Sequence, residues 1–356
     1  MRQMFENLQY PCYDNRAGAD ETMKISCIDI DSMIPNLALM KLSAYHKSIG
    51  DEVMLNHPSP DRVYISKVFN IPGMPENISI NNFKNKYWIG GAGWDYTTKL
   101  PDHIEFIKPD YNLYNGYICQ NCFKKKEFCR CRIKNRIYGD MKYSMGFTTR
   151  GCFRNCDFCI VVEKEGNIKK WQHISEFHDP EHKTVICLDN NIYALKDWFF
   201  ENTDYIIENK LSFDANQGMD IRLLNEEIAE RLSKIKWHGQ MHFAWDNVAD
   251  EQIIKKGIDI LQQANINTKN NVSFYVLVGF NSTIEDDLYR CRKLKEWKSN
   301  PFVMKYNKRK DSIILNDLAR WANRKMAFWA CDFSEFKHNA GRSYPEYREN
   351  KETVEF

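Results

Sequence analysis

The sequence predicts an α/β protein: a small Rossmann-like sheet domain over residues 23–110, then a partial (β/α)6 TIM-like barrel over residues 140–310. Three observations carry this. Short β-branched and aromatic runs alternate with amphipathic helical runs along most of the chain, the pattern of parallel strands joined by helices. The strand-like runs are followed by polar residues, as at the carboxyl ends of strands that bear chemistry. A dense group of cysteines lies between the two alternating regions.

The elements follow in order. Met23 opens a more regular segment than Met1, so residues 1–22 read as an extension. From Lys24, KISCIDIDSMIPNLALMKLSAYHKSIGDEVMLNHP reads as an apolar strand, a loop with Pro35, an amphipathic helix, Gly50 as the helix stop and a second strand, which begins a βαβ unit. DRVYISKVF and KYWIGGAGWDYTTKLP add strands, the latter ending in the glycine turn of Gly90, Gly91 and Gly93. A tight strand-to-loop turn accounts for those glycines before a nucleotide cradle does. Residues 111–139 hold a four-cysteine insert. SMGFTT, TVICLD, LSFDAN, QMHFAW, VSFYVLVGF and PFVMKY then read as six strands, with helices between them in NEEIAERLSKI, EQIIKKGIDILQQA and TIEDDLYRCRKLKEW. The tail, residues 311–356, reads as a helical cap rich in aromatics, IILNDLARWANRKMAFWACDFSEF being one helix.

Composition bounds the function. Fifty basic and forty-eight acidic residues in 356 leave a formal charge of +2, which gives no global field toward nucleic acid or a membrane surface and favours a small ligand. No apolar run approaches the roughly 18 residues of a membrane helix, and the amino terminus is too polar for a signal peptide. A cytoplasmic protein is expected. In that reducing setting the 12 cysteines do not predict disulfides, and the crowding of seven between Cys119 and Cys159 predicts metal.

The stretch TTRGCFRNCDFCIV carries Cys152, Cys156 and Cys159, separated by three and then two residues. Closed zinc and iron–sulfur sites want four ligands, so three thiolates leave one metal position open. Three buried cysteines near one turn, or a zinc site completed by a distant histidine, are the plainer readings. Spacing, the preceding strand and the aromatic Phe158 together resemble the signature of the radical S-adenosylmethionine (SAM) superfamily. The resemblance implies that the three thiolates hold a [4Fe–4S] cluster whose fourth iron is chelated by SAM. An electron, delivered by a reductant such as flavodoxin or ferredoxin, then cleaves SAM to a 5′-deoxyadenosyl radical that abstracts a substrate hydrogen.

The same resemblance implies SAM contacts. LDNNI stands where many members carry Gly-Gly-Glu, so Asp189, Asn190 and Asn191 are polar substitutes for it. Gln217, Asp220 and Arg222 in NQGMDIRLL match ribose and carboxylate contacts, and Gly279 matches the apolar strand against adenine. An arginine fork suits a carboxylate, but a surface salt bridge explains Arg222 equally well. Upstream, Cys119, Cys122, Cys129 and Cys131 form C-x2-C-x6-C-x-C, read as a structural zinc site, with a second iron–sulfur cluster or free thiols as the other readings.

The amino-terminal domain resembles the cobalamin-binding domains that precede many radical SAM barrels. It lacks their D-x-H-x-x-G loop, and His46 and His57 do not replace it, so a degenerate domain without cobalamin is expected. The layout from IDIDSMIPNLALMKLSAY through YWIGGAGWDYTTKLP to LDNNI, NQGMDIRLL and FAWDN resembles the queuine lyase subgroup of the superfamily. That implies release of 7-aminomethyl-7-deazaguanine from queuine. A deazaguanine offers two N–H donors on one edge to a carboxylate and a flat face for stacking. Asp214, Asn216, Trp245, Asp246, Asn247, Asn281 and Tyr306 are the pocket candidates, Phe280 stands beside them, and each polar one is equally a cap or turn residue. A radical SAM enzyme acting on tRNA or a peptide is the alternative, although the KYNKRK run reads first as a solvated face; a zinc-bound interaction module without catalysis is the second.

Overall fold

The computed structural model describes residues 22–32, 34–69, 87–115, 141–306 and 312–337. The extension over residues 1–21, the expected zinc ligands Cys119, Cys122, Cys129 and Cys131, and most of the KYNKRK run lie outside the described residues. The described chain forms two compact units: residues up to 105 with 112–115, and residues 106–111 with 141–337.

In the first unit, strands β1 (Lys24–Asp29), β2 (Glu52–Leu55), β3 (Arg62–Ser66) and β4 (Tyr87–Gly90) make one parallel sheet in the order β2-β1-β3-β4. This is the strand order with which one class of doubly wound sheets begins. Ile25, Cys27 and Val63 are fully buried in it. Asn36 starts the helix Leu37–Ser48 by accepting from the Leu39 amide at 3.1 Å, a side-chain cap on an otherwise orphaned N–H. The turn after β4 is glycine-rich for a steric reason: a Cβ on Gly91 would lie 2.3 Å from the Lys67 carbonyl oxygen, and one on Gly93 2.2 Å from that of Phe69. His46 is buried between Asp51 (2.6 Å) and the Tyr64 hydroxyl (2.8 Å).

The second unit is built on two further parallel sheets. β5 (Ser144–Gly146), β8 (Thr184–Cys187), β9 (Ser212–Ala215) and β10 (Lys236–Trp237) form one, and β11 (Met241–Ala244), β12 (Val272–Val278) and β13 (Asn300–Lys305) form the other, each in chain order. β6 (Thr149–Arg150) and β7 (Lys169–Lys170) pair as a short antiparallel ribbon. The two large sheets are joined where the Met219 amide donates to the His242 carbonyl at 2.8 Å. All six strand runs read from the sequence are present.

Alternation fixes which face packs. Val185, Cys187, Phe213, Met241, Phe243, Phe274, Val276 and Val278 are buried against helices, whereas the residues between them are only partly covered. The helices have matching stripes: Ile228, Ala229 and Leu232 of Glu226–Lys234, and Ile254, Ile258 and Leu261 of Glu251–Gln263, enter the same core. Burying each Leu, Ile or Phe contributes about 1.5–3 kcal/mol. Within the helix Ile284–Glu296, fully buried Arg290 donates to the Trp245 carbonyl (2.8 Å), to the Leu277 carbonyl (2.8 Å) and to Asp287, clamping the ends of β11 and β12.

The predicted single helix at the end of the barrel is two, Ile313–Ala322 and Lys325–Ala330. The break has a cause. Asn323 leaves the helix to accept from the Val303 amide (2.6 Å) and donate to its carbonyl (3.1 Å), bonding the outer edge of β13. Among the described residues no helix is long and apolar enough to cross a membrane.

Candidate active site

The cysteine loop leaves β5 at its carboxyl end. Fully buried Asp189, just after β8, accepts from the Thr148 amide (3.0 Å), the Thr148 hydroxyl (2.7 Å), the Thr149 hydroxyl (2.7 Å) and the Thr149 amide. Burial pushes its carboxyl up, against the pull of these four donors. Its oxygens are therefore spent on the loop. Asp189, which the resemblance implies as a SAM contact, is thus bonded to the strand end from which the cysteines depart.

Glu165 holds the next part. Its Oε2 accepts from the Gly151 amide (3.1 Å), from Asn190 (3.0 Å) and from Arg150 (3.2 Å). Although burial pushes this carboxyl up, Arg150, Lys164 and the Gly151 amide leave it lowered overall. Asn190 is thus engaged with Glu165, while Asn191 is buried with its Oδ1 unpartnered among the described residues. Gly151 has φ +82°, and a Cβ there would meet the Asn167 carbonyl oxygen at 2.4 Å, so the loop crosses its own return at a point only glycine permits.

Asp220 holds the far side. It accepts from Arg154, which lies between the first two cysteines, at 2.8 Å and from Arg222 at 2.7 Å. Burial raises its carboxyl, but the two guanidinium groups more than reverse that and lower it. Arg222 therefore does form an ion pair, with Asp220, and a second contact to Asp250 at 3.8 Å. It also lies close enough to Cys156 to stabilise a thiolate there. The Cys156 thiol is nevertheless raised: burial is the largest cause, and with Cys159, Asp246 and Cys152 it outweighs the help from Arg222.

Cys152 is buried, Cys156 partly covered and Cys159 exposed, and all three are free thiols. Cys152 Sγ accepts from the Arg154 amide at 3.4 Å, and the Cys159 amide bonds the Cys156 carbonyl at 2.9 Å. Among the described residues no group of His, Cys, Asp and Glu converges as ligands of one metal ion. A cluster of several irons takes each thiolate at a separate iron, so three soft donors spread along one loop suit it in kind.

Beside the loop stands an aromatic wall. Phe158 meets Phe280 edge to face at 5.5 Å between centroids, and Phe280 meets Tyr306 at 4.6 Å. Three residues far apart in sequence, from the loop, the end of β12 and the end of β13, are brought together. Gly279, with φ +73°, makes the turn that places Phe280.

The other candidates divide. Asp246 is largely buried, its carboxyl raised by burial, and accepts from the Leu277 amide at 3.3 Å. Asp214 is half-buried on β9, and burial pushes it up to about 6. Asn216 presents its carbonyl to the Tyr275 hydroxyl at 3.2 Å, and Gln217 and Asn281 are exposed. Asn247 caps a short 3-10 turn by accepting from the Ala249 amide at 3.0 Å. Trp245 departs from expectation. It is wholly buried on the helix side, stacked on Trp297 at 5.3 Å, because alternation along β11 turns it away from the partly covered face.

Sequence reasoning missed Glu165, Arg154, His242 and Tyr275. Arg154 lies inside the quoted motif, and its charge between two thiols was a usable signal; the others had none.

Among solved structures, the fold is similar to that of the radical S-adenosylmethionine methyltransferase TsrM from Kitasatospora setae, with cobalamin and a [4Fe–4S] cluster bound. The TM-score is 0.54 at 11% identity, over 80% of this chain and 75% of that one. The fold is shared with a radical SAM enzyme. No family model and no curated protein matches the sequence.

Proposed function

We propose that the chain is a radical SAM enzyme in which Cys152, Cys156 and Cys159 hold a [4Fe–4S] cluster. The observation that carries this is the loop itself: three free thiols between the carboxyl end of a parallel strand and its return, held by buried Asp189, by Glu165 and by Asp220. In this reading β5, β8, β9, β11, β12 and β13 are the six strands of a partial (β/α)6 barrel. Once bound, the cluster and SAM supply a 5′-deoxyadenosyl radical that takes a hydrogen from the substrate.

The chain's own residues supply position and exclusion. Arg222 is a cation within electrostatic reach of the middle thiol, and Asp220 fixes its fork. Phe158, Phe280 and Tyr306 give one side of the loop an apolar lining, which suits a reactive intermediate. The finer reading of the substrate is queuine, cleaved between the cyclopentenediol and the aminomethyl nitrogen to leave 7-aminomethyl-7-deazaguanine for salvage. The layout of motifs and the strand-end carboxyls Asp214 and Asp246 support it. No cobalamin is proposed: the D-x-H-x-x-G loop is missing, and His46 is committed to Asp51 and Tyr64. The four cysteines from Cys119 to Cys131 remain the proposed zinc site.

The test is an anaerobic reaction of reconstituted protein, SAM, dithionite and queuine, read by mass spectrometry with Cys156→Ala as control. Joint appearance of 5′-deoxyadenosine and 7-aminomethyl-7-deazaguanine only with the unsubstituted protein supports both parts. If 5′-deoxyadenosine forms equally without queuine, the substrate reading fails. If none forms and no iron is retained, the whole reading fails.

A further inference from the structure

The partly covered face of the two sheets of the second unit is not chemically uniform. Parallel register puts Tyr275 beside Ala244 and Phe302, and Leu277 beside Met304, on that face. Phe302 and Met304 are 43% and 46% exposed, whereas Val303 between them is buried. The face therefore offers an apolar wall made by β12 and β13. Asp214 lies on the β9 part of the second unit, within electrostatic reach of the Tyr275 hydroxyl. Among the described residues its carboxylate accepts no hydrogen bond. His242 of β11 stacks on Tyr275 at 5.0 Å and 8° between planes, and its Nδ1 is buried without a partner among the described residues. Gly218 packs against this ring: a Cβ there would lie 3.1 Å from Tyr275. A folded chain that leaves a half-buried carboxylate and a buried imidazole nitrogen unpaired beside an apolar wall has left those bonds to something else.

We infer that this face is a small-molecule site in which Asp214 accepts from an N–H donor group of a ligand whose flat or apolar body lies along Tyr275, Leu277 and Phe302. A carboxylate accepts only, so the complementary group is a donor: the paired N–H edge of a lactam–amine heterocycle, or an ammonium. Both bind the ionised carboxylate. Few titratable groups lie within electrostatic reach of Asp214 among the described residues: the Tyr275 hydroxyl, the buried Cys187 thiol and the His238 imidazole, with neutral His242 behind Tyr275. None of them neutralises it in the folded protein near pH 7. Ligand affinity accordingly rises as pH climbs from 5 to 7 and then levels off.

This inference rests on the reading of the chain as an enzyme for the ligand's fate alone, and its test is independent of the cluster. Full-length Cys156→Ala protein is titrated calorimetrically with 7-deazaguanine, which has the heterocycle edge and no amine side chain, and with benzylamine, which has an ammonium on a flat ring and no lactam. Binding of either probe, tighter at pH 7.5 than at pH 5 by about tenfold and weakened about 10- to 100-fold by Asp214→Asn, is the expected result. The probe that binds tells which donor group the carboxylate takes. Phe302→Ser, at the exposed edge, weakens the same probe, which places its body along the wall. Failure of both probes to bind, or binding indifferent to both pH and Asp214→Asn, overturns the inference. Such a failure leaves 5′-deoxyadenosine formation by the unsubstituted protein as a separate question.

Discussion

Arg154 and Asp220, 66 residues apart, are joined by a 2.8 Å bond from Nε to Oδ2 that ties the cysteine loop to the start of the 3-10 turn Ile221–Leu223, which follows β9. Arg222 bonds the other oxygen of the same carboxylate, so one acidic side chain orients two cations beside Cys156. The guanidinium groups are about one-third exposed, and solvent screens them. Asp220→Ala is therefore expected to cost only about 1 kcal/mol of stability in urea unfolding. In the folded, reconstituted protein it should also weaken SAM binding about tenfold by calorimetry, because both forks lose their orientation. A loss of stability with unchanged SAM affinity would assign Asp220 a purely structural part.

Two glycines bracket the loop and should respond differently. Gly151 and Gly166 both have positive φ, +82° and +76°, but a Cβ on Gly166 has nothing within 4 Å, whereas one on Gly151 strikes backbone. Gly166→Ala should cost about 1 kcal/mol and leave iron content after anaerobic reconstitution near that of the parent. Gly151→Ala must shift the loop, and iron content should fall by more than half. Similar iron content in the two variants would show that the crossing at Gly151 is not needed to present the thiols.

Arg290 bears on stability without touching the loop. Its side chain is fully buried and holds the Trp245 and Leu277 carbonyls together with Asp287. Arg290→Leu strands a buried carboxylate and two carbonyls, and a loss of about 3–5 kcal/mol in urea unfolding is expected. The double variant with Asp287→Leu should recover part of that, since the stranded charge is then gone. No recovery would place the cost in the carbonyls.

Asp214 gives a signed pH dependence. Its carboxyl is raised from 3.8 to about 6 by burial, so between these values the folded protein holds a proton that the unfolded chain has released. Stability through this group is therefore fully present below pH 4 and declines as pH rises to about 6. Asp214→Asn removes the decline. Allowing for its partial exposure, the variant should gain about 1–2 kcal/mol over the parent at pH 7.5 and nothing near pH 4, in chemical unfolding at the two pH values. A gain of the same size at both would exclude ionisation as the cause.

What the sequence made legible was local. The thiol spacing, the six strand runs and the amphipathic helices are properties of short windows, and alternation along each strand is written in its own residues. What it hid is pairing across the fold. Asp189 stands in LDNNI as a polar strand end, and only folding reveals that its oxygens serve Thr148 and Thr149, 41 and 40 residues earlier. Trp245 is misleading for a related reason: a strand-end aromatic points to one face or the other, and a shift of one residue in register decides which. The split of the last helix belongs to the same class, since Asn323 is an ordinary helix residue until the edge of β13 is set beside it.

That asparagine has a consequence for how molecules of this protein meet. β13 is the last strand of its sheet, and an outermost strand offers free N–H and C=O groups on which a stranger's extended segment can polymerise. By laying one amide over both backbone groups of Val303, Asn323 imitates the next strand for the length of a single residue, and the chain then turns into the short helix Lys325–Ala330 instead of running on as a strand. The sheet is finished from within, and at Val303 crowded copies find no template to extend.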